Sequence, residues 1–137
     1  MKNKINKDVA LKELDKFLFE IKKLDKTQLL GGAYGEYAKA DYLGLINDIS
    51  SGHFYLKEDK IVQVLQFPCG KENELVYDAR LKARDLSRLA AYHLNDSEGR
   101  KREITAILTG QAIGIIGDMD TLDFERSKRL TEFYFLA

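Results

Sequence analysis

Apolar side chains recur at intervals of three and four residues in two stretches near the start of the chain. The first stripe comprises Val9, Leu11, Leu14, Phe17, Leu18, Ile21 and Leu24. The second comprises Tyr34, Tyr37, Ala38, Tyr42, Leu45, Ile46 and Ile49. This spacing places each set on one face of an α-helix. Gly31 and Gly32 lie between the stripes and favour a turn, so the sequence predicts two helices that bury their stripes as a helical hairpin.

The periodicity changes in the middle third of the chain. Residues 53–56 and 61–67 are rich in aromatic and β-branched side chains, and the polar residues 57–60 between them are typical of a hairpin loop. Residues 68–73 contain proline and glycine and form a second predicted turn, which residues 75–77 follow as a third strand. The sequence predicts a short antiparallel β-meander.

Helical spacing returns in the last third. We expect one helix over 81–94, a second that ends with Gly110 at a positive φ angle, and a third that begins at Asp120. Asp123 stands where it would complete an approximate capping box with Asp120. Residues 111–117 are predicted to form a short or irregular helical turn.

The predicted fold class is therefore α+β: an N-terminal helical hairpin, a short antiparallel β-meander and a C-terminal group of three helices. We expect a single domain over residues 1–137. Within it, residues 1–52 form an N-terminal helical extension and residues 53–137 form the α+β region.

Composition restricts the functional classes. The chain has 137 residues, and its 22 basic residues balance 22 acidic ones, which argues against a general affinity for nucleic acid or acidic membranes. The one cysteine, Cys69, cannot form an internal disulfide, which favours a reducing compartment. No apolar run approaches the roughly 18 residues of a membrane helix. These features predict a soluble cytoplasmic protein.

Residues suited to catalysis or metal binding are few. Cys69, His53 and His93 lack the neighbours of an activated nucleophile, and two histidines without paired cysteines lack the ligand spacing of a zinc site. The glycines at 110, 114 and 117 match neither standard nucleotide-binding fingerprint. We therefore expect no enzymatic activity, no metal and no cofactor.

A binding surface is predicted from arginines and aromatic residues. Arg80, Arg84 and Arg88 stand near a predicted helix start, where positive charge gains nothing from the helix dipole. Phe133 and Tyr134 in the final helix could add an exposed apolar patch, and both residue types are frequent in interfaces. The alternative is that the arginines form a solvated helix face, that Arg84 pairs with carboxylates of 118–123, and that Phe133 fills the core.

A family resemblance begins with the strand and turn over 61–68. Three short motifs follow in order along the chain and complete it. Arg80 and the run Arg84-Asp85-Leu86 resemble an "R-x-x-x-R-D-L" helix entry, and Leu108-Thr109-Gly110 is similar to a helix ending in Leu-Thr-Gly. The run Met119-Asp120-Thr121-Leu122-Asp123 resembles an "L-D-x-x-D" helix start. In this order the motifs resemble those of the small tail assembly chaperones of tailed bacteriophages, especially contractile-tailed phages and prophages.

This resemblance implies a non-enzymatic function in the cytoplasm of a bacterial host. Chaperones of this family bind the long helical tape measure protein and recruit tail tube protein, so these two proteins are the expected partners. Two alternatives stay open: a small prophage-encoded nucleic-acid-binding or regulatory protein that uses the basic face between Arg80 and Arg102, and a structural tail component. The number of copies that act together is also left open.

Overall fold

The computed structural model of the chain describes residues 4–32, 35–92 and 95–136, except for the side chains at 26, 28, 29 and 134–136. Its elements, in chain order, are α1 (Lys7–Glu20), α2 (Lys26–Gly31), α3 (Gly35–Ser50), β1 (Phe54–Lys57), β2 (Lys60–Cys69), β3 (Glu72–Tyr77), a 3₁₀ turn (Ala83–Asp85), α4 (Leu86–Ala90), α5 (Ser97–Thr109), α6 (Ile113–Gly117) and α7 (Thr121–Leu136).

The first helices form as the apolar stripes predict, and α1 contacts α3. Asn6 starts α1 because its side chain accepts a hydrogen bond from the Asp8 backbone N–H at 2.7 Å. The predicted turn between the two helices contains the short helix α2, whose N-cap Asp25 accepts from the Thr27 backbone N–H at 2.8 Å.

The three strands form an antiparallel sheet in the order β1-β2-β3, so the predicted meander is confirmed. Residues 58 and 59 make the turn between β1 and β2, because Lys57 pairs with Lys60. The pairing of β2 with β3 is irregular between Val64 and Cys69. This irregularity frees backbone N–H groups of β2 from the ladder, and they become available to other acceptors.

One face of the sheet is buried. Phe54, Gln63 and Leu75 are paired across the three strands, and all three are at most 1% exposed. Helix α3 contacts β1, α5 contacts β3 and α7 contacts β2. These helices and the sheet enclose one continuous apolar cluster that includes residues from α1 to α7. The predicted α+β fold class and the order of its parts are confirmed.

The C-terminal helices differ in length from the prediction. Helix α4 spans only Leu86–Ala90, and residues 93 and 94, which were expected to extend it, lie outside the described residues. Helix α5 ends as predicted, since Gly110 is in the left-handed region with φ 70°. Asp120 starts α7 as predicted, because its Oδ1 accepts a hydrogen bond from the Leu122 backbone N–H at 2.9 Å.

The predicted capping box at the start of α7 is wrong. The Asp123 side chain does not reach back to the backbone of Asp120; it is fully buried and accepts hydrogen bonds from β2 instead. The physical reason is that the free N–H groups of β2 offer a buried carboxylate more hydrogen bonds than the solvent-facing helix end does.

Candidate partner-binding surface

The segment from Lys82 to Arg88 forms a surface turn that is held by hydrogen bonds between its own residues. The Asp85 carboxylate accepts from the Lys82 backbone N–H at 2.8 Å, and the Asp85 backbone N–H donates to the Lys82 carbonyl at 2.9 Å. The Ser87 hydroxyl donates to the Arg84 carbonyl at 3.0 Å. These local bonds leave the side chains of Lys82, Arg84 and Leu86 exposed.

Leu86 lies on the outside of this segment. It belongs to the helix predicted over 81–94, and 57% of its surface is exposed. In α4 only Leu89 is buried. The segment 82–88 therefore presents an apolar side chain surrounded by basic ones, and we call it the basic turn.

Arg80, the first of the predicted binding arginines, anchors the start of this segment. Its Nη1 donates to the Lys22 carbonyl at 3.0 Å, and the Lys22 ammonium donates to the Ala79 carbonyl at 2.8 Å. Lys22 is only 4% exposed, and burial, aided by the charge of Arg80, lowers its pKa to about 8. The two residues tie the end of α1 to the segment that leads into the basic turn.

Arg88 is also engaged within the protein. Its Nε lies 2.7 Å from Oε1 of Glu103, whose side chain is 9% exposed, and the pair joins α4 to α5. Arg84, by contrast, is exposed and forms no ion pair with any carboxylate in the described part of the chain. The alternative that Arg84 pairs with carboxylates of 118–123 is therefore not what the structure contains.

The expected exposed patch around Phe133 is wrong. Phe133 is fully buried, and its ring centroid lies 6.3 Å from that of Tyr42. Helix α7 packs against α3, so its face with Leu130 and Phe133 completes the core. The side chain of Tyr134 lies outside the described residues.

The carboxylate of Asp123 binds the irregular part of β2. Its two oxygens accept from the backbone N–H groups of Gln66 and Phe67, both at 3.0 Å, and the Asp123 carbonyl accepts from the Gln63 side chain at 2.8 Å. Arg126 supplies the counter-charge at 3.5 Å. Asp123 is thus a structural residue, while its neighbour Leu122 is 52% exposed.

A buried polar chain crosses the same region. The Tyr77 hydroxyl lies 2.7 Å from Gln63 Oε1 and 2.8 Å from Ser127 Oγ, and Ser127 Oγ lies 3.1 Å from Thr105 Oγ1. All four residues are fully buried, and burial raises the pKa of Tyr77. Each polar group has a partner, so the chain links β2, β3, α5 and α7 without an unsatisfied hydroxyl. Sequence reasoning missed it, although Thr105 and Ser127 interrupt apolar faces.

A layer of charges joins α3 to α7. The Arg129 Nη1 atom lies 2.5 Å from Oδ2 of Asp48. The Arg129 side chain passes so close to Gly44 that a Cβ atom added at residue 44 would clash with it. Burial and the nearby carboxylate of Glu132 raise the pKa of Asp41 to about 6. The Arg129–Asp48 pair therefore joins α3 to α7, whereas the charges of Asp41 and Glu132 repel each other across the same contact.

Cys69 and His53 stand in unrelated surroundings. The Cys69 thiol donates to the Ile115 carbonyl at 2.9 Å, and burial raises its pKa, which is opposite to what an activated thiolate requires. Burial lowers the pKa of His53, whose Nδ1 is buried without a partner among the described residues. His93 lies outside those residues.

The described ranges 4–32, 35–92 and 95–136 contain no group of three or more His, Cys, Asp or Glu side chains placed to hold a metal ion. Within the same ranges, no helix has the length and apolar character needed to cross a membrane. In the comparisons with known proteins, no family model, no curated protein and no solved structure matches the chain.

Proposed function

We propose that this chain is a non-enzymatic chaperone of phage tail assembly, which binds tape measure protein, tail tube protein or both in the cytoplasm of its bacterial host. The observation that carries the proposal is the exposed Leu86 on the basic turn, beside Arg84, which has no ion pair among the described residues. An exposed aliphatic side chain next to an available guanidinium is a combination that suits an interface.

The basic turn suits a helical client. A long helical protein with apolar stripes aggregates unless those stripes are covered until assembly. Leu86 offers an apolar contact for such a stripe, and Lys82 and Arg84 offer charge to acidic residues that flank it. Helix α4 buries only Leu89, so the turn can adjust to a client at small cost to the core.

The other motifs support the fold of such a chaperone rather than its contacts. Leu108 is buried, Thr109 donates to the Thr105 carbonyl and Gly110 ends α5. Asp120 caps α7. These residues position α5 and α7 on the sheet, and the basic turn is held on α5 through the Arg88–Glu103 ion pair.

The test is co-purification with the tail tube and tape measure proteins encoded in the same genome. The double variant Arg84→Glu with Leu86→Asp is compared with Lys12→Glu and Leu43→Asp, which make equivalent changes of charge and polarity at exposed positions of α1 and α3. We expect the first variant to lose the partners and the second to retain them, at near-normal thermal stability.

Three results would contradict the proposal. The first is unchanged binding by the Arg84/Leu86 variant. The second is salt-sensitive binding to duplex DNA that the same variant abolishes, which is the behaviour of a nucleic-acid-binding protein. The third is the presence of the chain in finished particles, which would make it a structural tail component.

A further inference from the structure

A shallow groove of about 200 Å³ lies between the C-terminal half of α1 and the β1–β2 turn. Its floor is apolar and consists of Phe17, Ile21 and Leu56. The volume is below the roughly 300–1,000 Å³ typical of small-molecule pockets. The size therefore fits one long side chain of another protein better than a free cofactor or substrate.

Three carboxylates form the rim of this groove: Glu13 and Glu20 from α1, and Glu58 from the turn. None of them forms an ion pair with a described basic residue. Lys16 is the one cation among the described lining residues, so the lining carries a net charge of −2, three carboxylates against one ammonium. The excess of negative charge is a property of the lining residues, and Lys60 interacts with Glu58 from outside the groove.

The last turn of helix α1, which ends at Glu20, contains no basic residue to complement the partial negative charge of the helix dipole, and the next cations along the chain are Lys22 and Lys23, just beyond the C-cap Ile21. Glu58 also has φ 57°, in the left-handed region that glycine or asparagine occupies at far lower cost.

We infer that this α1–β1 groove is a docking site for a basic segment of a partner protein, which inserts a lysine or arginine side chain. The methylene groups of the inserted side chain pack on the apolar floor, and its charged end lies among the rim carboxylates. The sign of the charge argues against phosphate groups, so nucleic acid and acidic lipid are disfavoured occupants. This contact is separate from the basic turn and does not depend on its function.

The experiment uses the full chain and three fluorescent helical peptides. The first peptide carries lysines on one face, the second has glutamate in place of each lysine, and the third has 2,4-diaminobutyric acid in place of each lysine, which keeps the ammonium but has two methylene groups instead of four. Binding is measured by anisotropy, and the site is located by amide chemical-shift changes. We expect the first peptide alone to bind, with shift changes at the floor and rim residues.

Two matched triple variants test the site itself. Glu13→Gln, Glu20→Gln and Glu58→Gln together should weaken binding of the first peptide at least about tenfold, since three charge-assisted contacts are lost. Glu36→Gln, Glu72→Gln and Asp118→Asn remove the same charge outside the groove and should change affinity less than about twofold.

Other outcomes would overturn the inference. Equal losses in both triple variants would mean that only the overall field attracts the peptide. Unchanged affinity in the rim variant, or equal binding of the diaminobutyric acid peptide, would exclude insertion of a long basic side chain into this groove. Because the Arg84/Leu86 variant keeps the rim intact, a failure here is distinguishable from a failure of the proposed chaperone function.

Discussion

The basic turn with helix α4 and the start of helix α5 each carry three basic residues, but the two helices are held in the protein in different ways. Helix α5 buries six of its residues, including Glu103, Thr105 and Leu108, whereas α4 buries only Leu89. Helix α5 packs on β3, α6 and α7, and α4 packs on α5 and on the 3₁₀ turn before it. Burial, not basic content, separates the two.

The difference shows that α5 is part of the core while α4 and the basic turn lie at the surface. Helix α5 gains stability from apolar area removed from water and from the buried polar chain through Thr105. Helix α4 depends on local hydrogen bonds and the Arg88–Glu103 pair, which is half exposed on the arginine side. A surface segment of this kind can change sequence or conformation without disturbing the core.

The same substitution in the two helices should have effects of very different size, and the loss in α5 is the largest effect we expect. Leu108→Ala, at 2% exposure, removes core contacts and should lower the free energy of unfolding by about 2–5 kcal/mol. Leu86→Ala, at 57% exposure, should change it by less than about 0.5 kcal/mol. Urea denaturation measures both, and similar values for the two would break the comparison.

A second pair of substitutions compares how much the buried carboxylate of Asp123 and the exposed N-cap of Asp120 each contribute to stability. Asp123→Asn replaces one acceptor oxygen by an NH₂ group against two backbone N–H donors, so we expect a loss of about 2 kcal/mol. Asp120→Asn retains an equally good N-cap and should be close to neutral. If Asp120→Asn lowers stability as much as Asp123→Asn, hydrogen bonding to β2 is not what distinguishes Asp123.

A substitution at Gly110 tests the backbone conformation at the end of α5. Gly110→Val places a β-branched residue at φ 70°, where no other atom lies within 4 Å of the added Cβ, so the cost is conformational and about 1 kcal/mol or more. Gly114→Ala, in open space within α6 and without a positive φ, should be neutral or slightly stabilising. Thermal melts of the two variants provide the check, and equal shifts would argue against the backbone explanation.

The smallest effect is a pH dependence where α5 and α7 meet α3. The pKa of Asp41 is raised from 3.8 to about 6, by burial first and then by Glu132, against the opposing charges of Arg129 and Lys101. The folded protein therefore binds this proton more tightly than the unfolded chain. The resulting stability is present in full below pH 3.8 and is lost as the pH rises to about 6.

Asp41→Asn should remove this dependence. We expect the variant to gain stability relative to the original chain between about pH 4 and pH 7, by less than about 1 kcal/mol because the carboxyl is partly exposed and screened. Denaturation at several pH values measures the gain, with Glu36→Gln on the same helix as the control. An identical pH profile for Asp41→Asn and the original chain would contradict this interpretation.

Much of the fold was predictable because its signals are local. The stripes of α1 and α3, the three strands, the N-cap at Asp120 and the left-handed Gly110 each follow from residues within a few positions of one another. The candidate surface was predictable only in part: Arg84 is exposed, but Arg80 and Arg88 bond to Lys22 and Glu103, and Phe133 lies in the core. Leu86 is exposed because α4 has only five residues and packs only Leu89 into the core.

The sequence by itself determined the order and type of the main helices and strands, since periodicity and capping depend on side chains within a single element, but it did not indicate the short helix α2 or the short span of α4. Only the tertiary structure decided which polar and aromatic residues are covered. Asp123 binds Gln66, which is 57 positions away in the chain, because the irregular β2 strand leaves N–H groups that need an acceptor. Burial is a property of contacts between elements, and the pattern within one element does not contain it.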